Sequence, residues 1–322
     1  MVLKNGGKRM QTPIFKPQTE WIPPTDFPDL GKYDEIAIDL ETKDPNLNER
    51  MGSGSVVGVG DVVGISLATA DWCAYYPIAH EGGGNMDRKM VLKWLQDQMN
   101  YESTKIFHNA MYDICWLRAI GINVKGKIVD TMIASSLVDE NRFRYDLNGV
   151  SRDYIGKGKD ENALYEAAKS WGVDPKAEMY KLPAMYVGAY AERDAQLTYE
   201  LWQELKKEIL HQDIESIFNM ETELFPALVD MRFLGVRVDK DQAYREKKLM
   251  LAEENQLLGG VYADTKIEVQ IWAARSIAKV FDKLGLPYDR TEKTGAPSFT
   301  KNFLANHPHP IVKNIAKARE IN

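Results

Sequence analysis

The sequence predicts an α/β fold in which a mixed sheet is flanked by helices and followed by a mostly helical C-terminal segment. Two observations lead to this prediction. Runs rich in β-branched and aromatic residues come early in the chain, and helical patterns are then interspersed with short strands. Beyond residue 212 the one convincing strand-like run is GVRVD at 235–239. We therefore expect an extended N-terminal arm (1–27), an α/β domain (28–211) and a helical segment (212–322).

Each element of the α/β domain has its own local signal. Prolines and the lack of periodicity mark the arm, and β-branched or aromatic content marks the strands. Apolar spacing of three to four residues marks the helices, the longest being amphipathic. The Gly-rich insertion 51–61 predicts a loop or a hairpin excursion. The predicted strands are 34–40, 62–69, 72–78 and 105–109, with a strand end before 131, and the predicted helices are 86–100, 110–121, 131–139, 144–156 and 184–211.

Length and composition indicate a soluble, globular protein of two domains. The chain has 322 residues, of which 44% are hydrophobic and 27% charged, and this is too long for one ordinary core. No run of about eighteen apolar residues occurs, so we expect no membrane span. The N-terminal residues do not have the pattern of a secretory signal. The two cysteines are too few for a disulfide framework, which fits a reducing cytoplasm.

The charge of the chain has two consequences. A net charge of −6 argues against nucleic-acid binding when it is taken alone. The excess of acidic residues lies entirely within residues 1–200, because residues 201–322 carry equal numbers of acidic and basic side chains. A cluster of metal-binding carboxylates would make the first domain acidic and would still allow it to hold phosphates through the metals.

Asp39 and Glu41 stand at the end of the first strand run, IAIDLETKD. Residues two apart in a strand point to the same side of the sheet. Like charges held so close raise each other's pKa unless a cation lies between them, and a divalent metal is the usual cation. For an isolated D-x-E pair, a strand that ends in a polar turn is the commoner explanation. The rest of the chain must therefore decide.

Three further acids occur in informative contexts. Asp113 follows Asn109 by four residues and Asp194 follows Tyr190 by four, so each pair can share one helix face. Asp130 follows the strand-like run KIV. Each has an ordinary explanation: a helix cap for Asn109, a core position for Tyr190 and a solvated face for Asp194. Their common order along the chain favours a shared site.

The ordered set resembles a known enzyme family. Asp39-Leu40-Glu41-Thr42, then His108 to Asp113 (HNAMYD), then Tyr190 to Asp194 (YAERD) are similar to the three signature motifs of the DEDDy 3'-5' exonucleases. The closest resemblance is to the proofreading domain of family-A, polymerase I-like DNA polymerases of the phage type. Residues 221–239 and 279–300 are similar to the start of the polymerase region and the base of its thumb. The resemblance implies an RNase H-like sheet for residues 28–211 and a thumb-like segment for 212–322.

The same resemblance implies a reaction and a role for each motif residue. The reaction is hydrolysis of single-stranded or frayed DNA 3' ends with two Mg²⁺ or Mn²⁺ ions. Asp39 would bridge the two metals, and Glu41 and Asp194 would complete the site that holds the attacking water. Asp113 would hold the second metal directly or through water. Tyr190 would orient the water, because a phenol with an ordinary pKa of about 10 is a poor base.

Four residues are predicted to contact the substrate. By resemblance, the backbone of Thr42 and the side chain of Asn109 lie where the terminal nucleotide binds. His108 could join them, although a structural role fits it equally well. Members of the family carry an apolar wedge residue soon after the first motif. Leu47 is the candidate here, and the Gly-rich insertion that follows it departs from the family pattern.

Other functions stay open at this point. An RNA 3' exonuclease of the RNase D kind would use the same site chemistry. A non-catalytic module that binds DNA or a partner through residues 212–322 is an alternative of a different class. We find no D-Y-S-type metal motif, fingers lysine helix or H-D-E motif. We therefore expect either the N-terminal part of a polymerase, whose palm and fingers belong to a further region or subunit, or an exonuclease that ends in a thumb remnant. In both cases the expected location is the host cytoplasm if the protein is phage-encoded.

Overall fold

A computed structural model describes residues 19–47 and 53–322, which form two compact units. The first unit ends at Gly235 and the second is Val236–Asn322. Residues 1–18 of the predicted arm and 48–52 of the Gly-rich insertion lie outside the described residues. The sequence boundary at 211/212 differs from the boundary between the units. The difference arises because the helix after residue 212 packs Phe218, Phe225 and Val229 into the cores of the first unit.

The first unit is built on a mixed sheet of five strands in the order β3-β2-β1-β4-β5. The central strand β1 pairs antiparallel with β2 and parallel with β4, while β2 and β3 are antiparallel and β4 and β5 are parallel. All five lie where the sequence predicted strands. They are β1 Glu35–Lys43, β2 Asp61–Ala68, β3 Cys73–Pro77, β4 Thr104–Phe107 and β5 Ile128–Asp130.

Helices cover both faces of this sheet, as the sequence predicted. The short helix α1 in the described part of the insertion and the helix α6 were not predicted. The predicted helix 184–211 begins later, as α7, after a 3-10 turn at Ala184–Tyr186. The helices of this unit are α1 Gly54–Val57, α2 Arg88–Met99, α3 Ala110–Ala119, α4 Thr131–Val138, α5 Leu147–Ile155, α6 Asn162–Trp171, α7 Gly188–His211 and α8 Glu215–Leu234.

The alternation of β1 decides what each side of the sheet faces. Ile36 and Ile38 lie in the hydrophobic cluster that contains side chains of α2 and α3. Ala37 lies in the cluster formed with α4, α5 and α7. Because successive strand residues point to opposite faces, Asp39 and Glu41 project on the same side as Ala37. The two carboxylates therefore face α7.

The second unit, Val236–Asn322, is mostly helical, as predicted. Its core is a separate hydrophobic cluster centred on the buried Phe281. The elements are α9 Lys240–Thr265, α10 Ala274–Leu284, the two-stranded hairpin β6 Asp289–Arg290 and β7 Pro297–Ser298, α11 Lys301–Ala305 and α12 Pro310–Ile321. The strand predicted at 235–239 is wrong. No strand of the described residues pairs with this run, and Val236 and Val238 are 90% and 63% exposed.

No helix of the described residues is both long and apolar enough to cross a membrane.

Candidate active site

Strand β1 brings the first two predicted ligands to the α7 side of the sheet. Asp39 pairs with Ser66 and Glu41 with Gly64 of β2, and the register then shifts so that Thr42 pairs with Val62. Asp39 and Glu41 are partly buried. Polar residues at the end of a central strand are costly to bury unless they are compensated, so their position indicates a function beyond stability.

Helix α7 provides the third carboxylate. Asp194 is only 3% exposed, because α7 packs along the sheet through Leu197 and Leu201. Carboxylate oxygens of Asp39, Glu41 and Asp194 lie within 4.8 Å of one another. Oδ1 of Asp194 is buried and has no hydrogen-bond partner. An unpaired carboxylate oxygen within a cluster of hard oxygen donors is what a divalent cation requires, so these residues fit a metal ion of that kind.

The fourth acid, Asp113, lies beside this cluster on helix α3. Its Oδ1 accepts a hydrogen bond of 3.1 Å from the backbone N–H of Leu40, between Asp39 and Glu41 on β1. Burial and then the Asp39 charge raise the pKa of Asp113, so the two carboxylates are close. Asp113 is not a member of the cluster of three whose oxygens meet within 4.8 Å. The four predicted acids are therefore neighbours, and three of them, Asp39, Glu41 and Asp194, bring their carboxylate oxygens together.

Asp130 fixes the position of α3. Its Oδ1 accepts hydrogen bonds of 2.9 Å from the backbone N–H of Asn109 and 2.8 Å from that of Met132, and its Oδ2 accepts one of 2.8 Å from Ala110. One buried carboxylate thus caps the N-termini of both α3 and α4. Because α3 carries Asp113, this cap also sets the position of the fourth acid.

Burial raises the pKa of all four acids, and repulsion between carboxylates adds to the shift for Asp39, Glu41 and Asp113. Desolvation, followed by the Asp194 charge, raises the pKa of Asp39 to about 7. Burial and then Asp39 raise the pKa of Glu41 well above its usual value, and burial does the same for Asp113. Burial also raises the pKa of Asp194, although Lys159 opposes the shift. Such a cluster favours the binding of a cation that neutralises it.

Lys159 belongs to the site and was not predicted from the sequence. Its Nζ lies 2.5 Å from Oδ2 of Asp194 and 3.2 Å from the phenol oxygen of Tyr190. Tyr190 is one turn before Asp194 on α7, as its spacing predicted. Burial and then the Asp194 charge raise the pKa of Tyr190 well above its usual value, so its phenol is neutral. No spacing rule relates Lys159 to α7, because the loop between α5 and α6 carries it.

Tyr75 and His80 support the sheet next to the carboxylates. Nδ1 of His80 lies 2.9 Å from the carbonyl oxygen of Leu182, which can only accept, so this nitrogen carries the proton. The Tyr75 hydroxyl then donates to Nε2 of His80 over 2.7 Å. Burial lowers the pKa of His80 to about 4, so the ring is neutral. Gly64, opposite Glu41, leaves room for this phenol, because a Cβ there would lie 2.0 Å from the Tyr75 oxygen.

The residues predicted to contact the substrate differ in their exposure and in the hydrogen bonds that their side chains already make. Asn109 is exposed, adopts φ 68°, and its side chain makes no capping hydrogen bond, so its amide is available. The Thr42 hydroxyl lies 2.6 Å from that of Tyr112. Leu47 is 48% exposed in the turn before the insertion. These observations are compatible with the predicted contacts and do not test them.

His108 is held on both ring nitrogens. Its Nε2 lies 2.8 Å from the carbonyl oxygen of Tyr145 and its Nδ1 2.9 Å from the Thr131 hydroxyl. Burial lowers its pKa to about 4. Both polar atoms are used inside the protein, which favours the structural role over contact with a nucleotide.

Comparison with known proteins identifies the family. A sequence model of the 3'-5' exonuclease domain of family-A DNA polymerases matches residues 27–210. The chain belongs to this family. The predicted family is thereby confirmed, and the residues described above lie within the matched exonuclease domain. Domains of this type depend on a metal, and the acidic cluster is present here.

The relatives of this exonuclease are polymerases. The chain is 32% identical to a DNA-directed DNA polymerase of Pseudomonas phage M6, over 97% of this chain and 48% of that protein. It is 28% identical to DNA polymerase DpoZ of Acinetobacter phage SH-Ab 15497, over 92% and 48%. DNA polymerase I of Pseudomonas aeruginosa is 29% identical over 86% and 30%. The chain spans about half the length of the phage relatives, and it covers the exonuclease part.

A solved structure shares the fold. It is described as the POL domain of Pol1 from M. smegmatis in complex with DNA primer-template and dNTP. It aligns with a TM-score of 0.61 at 14% identity, over 90% of this chain and 45% of that one. At this identity the likeness shows the fold alone.

Proposed function

We propose that residues 28–211 remove nucleotides from single-stranded or frayed DNA 3' ends, as the proofreading exonuclease of a family-A DNA polymerase. The observation that carries the proposal is the meeting of three carboxylates from β1 and α7 within 4.8 Å, with Asp113 beside them, inside the matched exonuclease domain. A scaffold gains nothing from buried acids that repel one another. The cluster therefore favours catalysis over a purely binding function.

Two divalent ions, Mg²⁺ or Mn²⁺, would supply an activated water and charge relief for the displacement at phosphorus. We assign the bridging role to Asp39, because it belongs to the cluster of three and because its charge, after burial, also raises the pKa of Asp113. Glu41 and Asp194 would complete the first site, and Asp113 would serve the second. Hard oxygen ligands of this kind select Mg²⁺ or Mn²⁺ over softer metals.

Tyr190 is assigned the role of orienting the attacking water and not that of accepting its proton. Its pKa is raised well above the usual value by burial and by the Asp194 charge, so the phenolate needed for a base is not available near neutral pH. Lys159 donates to the phenol oxygen, because an ammonium has no acceptor. The phenol also hydrogen-bonds to the Asp194 carboxylate, and we propose that it turns its proton to the attacking water once Asp194 binds the metal.

The proposal includes the predicted substrate contacts, which are supported by the uncapped side chain of Asn109 and the exposure of Leu47. The exposed amide of Asn109 and the backbone of Thr42 would hold the terminal nucleotide, and the exposed Leu47 would wedge against its base. We propose a location in the host cytoplasm and a polymerase region that delivers the strand, because the relatives are phage DNA polymerases about twice as long as this chain.

A digestion assay tests this function. Oligonucleotides of single-stranded DNA labelled at the 5' or at the 3' end are incubated with Mg²⁺ or Mn²⁺, beside an EDTA control. Asp39→Ala removes the shared ligand. Asp34→Ala is the matched control, since Asp34 is an exposed acid just before the same strand.

The expected result is a metal-dependent ladder that shortens from the 3' end, is lost in Asp39→Ala and is kept in Asp34→Ala. Digestion by the Asp39→Ala protein above a few per cent of the wild-type rate would refute the assignment. A parallel RNA oligonucleotide decides between this function and that of an RNase D-like enzyme. No digestion of either polymer would favour the binding module.

A further inference from the structure

Lys159 is held in a fixed loop, Gly156–Glu161, between α5 and α6. Its backbone N–H donates to the side-chain oxygen of Asn148 over 3.0 Å, and Arg193 of α7 donates to the carbonyl of Gly158 over 3.3 Å. A Cβ at Gly158 would lie 2.7 Å from Arg152, so the loop is tightly packed against α5. The loop that carries Lys159 is therefore hydrogen-bonded to both α5 and α7.

The ammonium of Lys159 lies within the acidic cluster. It is 2.5 Å from Oδ2 of Asp194 and 3.2 Å from the phenol oxygen of Tyr190, and it lies 5.2 Å from the centre of the Tyr190 ring. The side chain is 17% exposed. Buried ion pairs of this geometry are seldom kept for stability alone, because desolvation offsets most of their attraction.

The two oxygens of Asp194 have different environments. Oδ2 is held by Lys159, whereas Oδ1 is buried without a partner. We propose that Lys159 is a positioning residue of the exonuclease, which grips Oδ2 of Asp194 so that Oδ1 stays directed at the metal and which fixes the phenol of Tyr190 beside it. The inference rests on the proposed function and extends it to a residue outside the three motifs.

Two explanations of Lys159, charge repulsion and positioning, predict opposite changes in metal affinity when a neutral residue replaces it. Lys159 is a cation next to a cation site, so simple repulsion predicts that its removal strengthens metal binding. Positioning predicts the reverse, because an untethered Asp194 can rotate and present the wrong oxygen. Loss of a residue that orients a metal ligand commonly costs about 10- to 100-fold in metal affinity or activity. The sign of the change therefore separates the two explanations.

The test measures Mn²⁺ binding without DNA, by the loss of the free Mn²⁺ signal in electron paramagnetic resonance. Lys159→Met removes the ammonium and keeps much of the aliphatic chain, and Lys159→Arg keeps the charge and the donors. The matched control is Lys157→Met, two residues earlier in the same loop, whose partner Glu200 is not part of the cluster. Circular dichroism establishes that each variant is folded, and Lys159→Gln replaces the Met variant if that one is not.

We expect Lys159→Met to bind Mn²⁺ about 10- to 100-fold more weakly, Lys159→Arg to recover most of the loss, and Lys157→Met to match the wild type. In the Tyr190→Phe background, Lys159→Met should lower the digestion rate by a smaller factor than in the wild type, since part of its effect acts through Tyr190. Equal or tighter Mn²⁺ binding by Lys159→Met would overturn the inference, as would an equal loss in the Lys157→Met control. Wild-type protein that neither binds Mn²⁺ nor digests DNA would instead refute the proposed function.

Discussion

Replacing Asp39 with Asn should make the metal-free protein more stable at alkaline pH. The Asp39 side chain makes no hydrogen bond within the described residues. Replacing its carboxylate with the amide of Asn therefore breaks no hydrogen bond there. Burial and the Asp194 charge raise the pKa of Asp39 from 3.8 to about 7. An acid with a raised folded-state pKa destabilises the fold where it is ionised, because the unfolded chain releases the proton more readily.

The size and pH range follow from that pKa. A shift of about three units corresponds to roughly 4 kcal/mol of unfolding free energy at 1.36 kcal/mol per unit. The penalty is absent below pH 4, grows as the pH rises from about 4 to about 7, and is then constant. Neighbouring acids titrate together with Asp39, so the measured gain is that of the coupled cluster. Asp39→Asn should therefore gain most above pH 7 and nothing near pH 4.

The assay is urea unfolding of both proteins in EDTA at pH 5 and pH 8. Glu35→Gln is a control of opposite sign on the same strand. Burial raises the pKa of Glu35, but the hydrogen bonds from Gln203, Trp202 and Lys206 together outweigh burial and lower it. Glu35→Gln should lose stability at pH 8. An Asp39→Asn protein that is no more stable than the wild type at pH 8 would show that the ionised Asp39 does not destabilise the metal-free protein.

Three other predictions concern the same site. Tyr190→Phe should slow single-turnover digestion while Mn²⁺ and DNA affinities stay near the wild-type values, and an unchanged rate would mean that the water is oriented by another group. Asp130→Ala should lower the free energy of unfolding by about 2 kcal/mol, since it removes the caps of two helices at about 1 kcal/mol each, and denaturant titration measures this. Mn²⁺ at 100 times its dissociation constant should raise the unfolding free energy of the wild type by about 2.7 kcal/mol, and the absence of any such gain would argue against a preformed metal site.

The strands and the motif residues could be predicted because their signals are local. Alternation within β1 placed Asp39 and Glu41 on one face, and the four-residue spacing placed Tyr190 and Asp194 on one turn of α7. The order of the motifs then indicated that these elements meet. These predictions needed only neighbours along the chain and a family pattern.

Features that depend on tertiary contacts were missed. Lys159 reaches Asp194 only because its loop is closed against α5 and α7. Asp130 was noticed after its strand, but its cap of α3 requires β5 to lie beside β4. Conversely, GVRVD has the composition of a strand and forms none, since β-propensity is realised only where a partner strand is present. The helix α8 lies in the first compact unit and not beyond the predicted boundary at 211/212, because its packing partners lie far back in the sequence.

The contacts of Trp21 bear on where a separate nuclease fragment should begin and end. Its indole N–H donates to Glu192 of α7 over 2.9 Å, and the same carboxylate oxygen accepts from the backbone of Tyr75. A Cβ at Gly188 would lie 2.0 Å from the Trp21 ring, so the indole covers the first turn of α7. A fragment trimmed to the matched residues 27–210 would lack this cover and the α8 side chains that complete both cores. A self-sufficient nuclease should therefore begin before Trp21 and continue through Gly235.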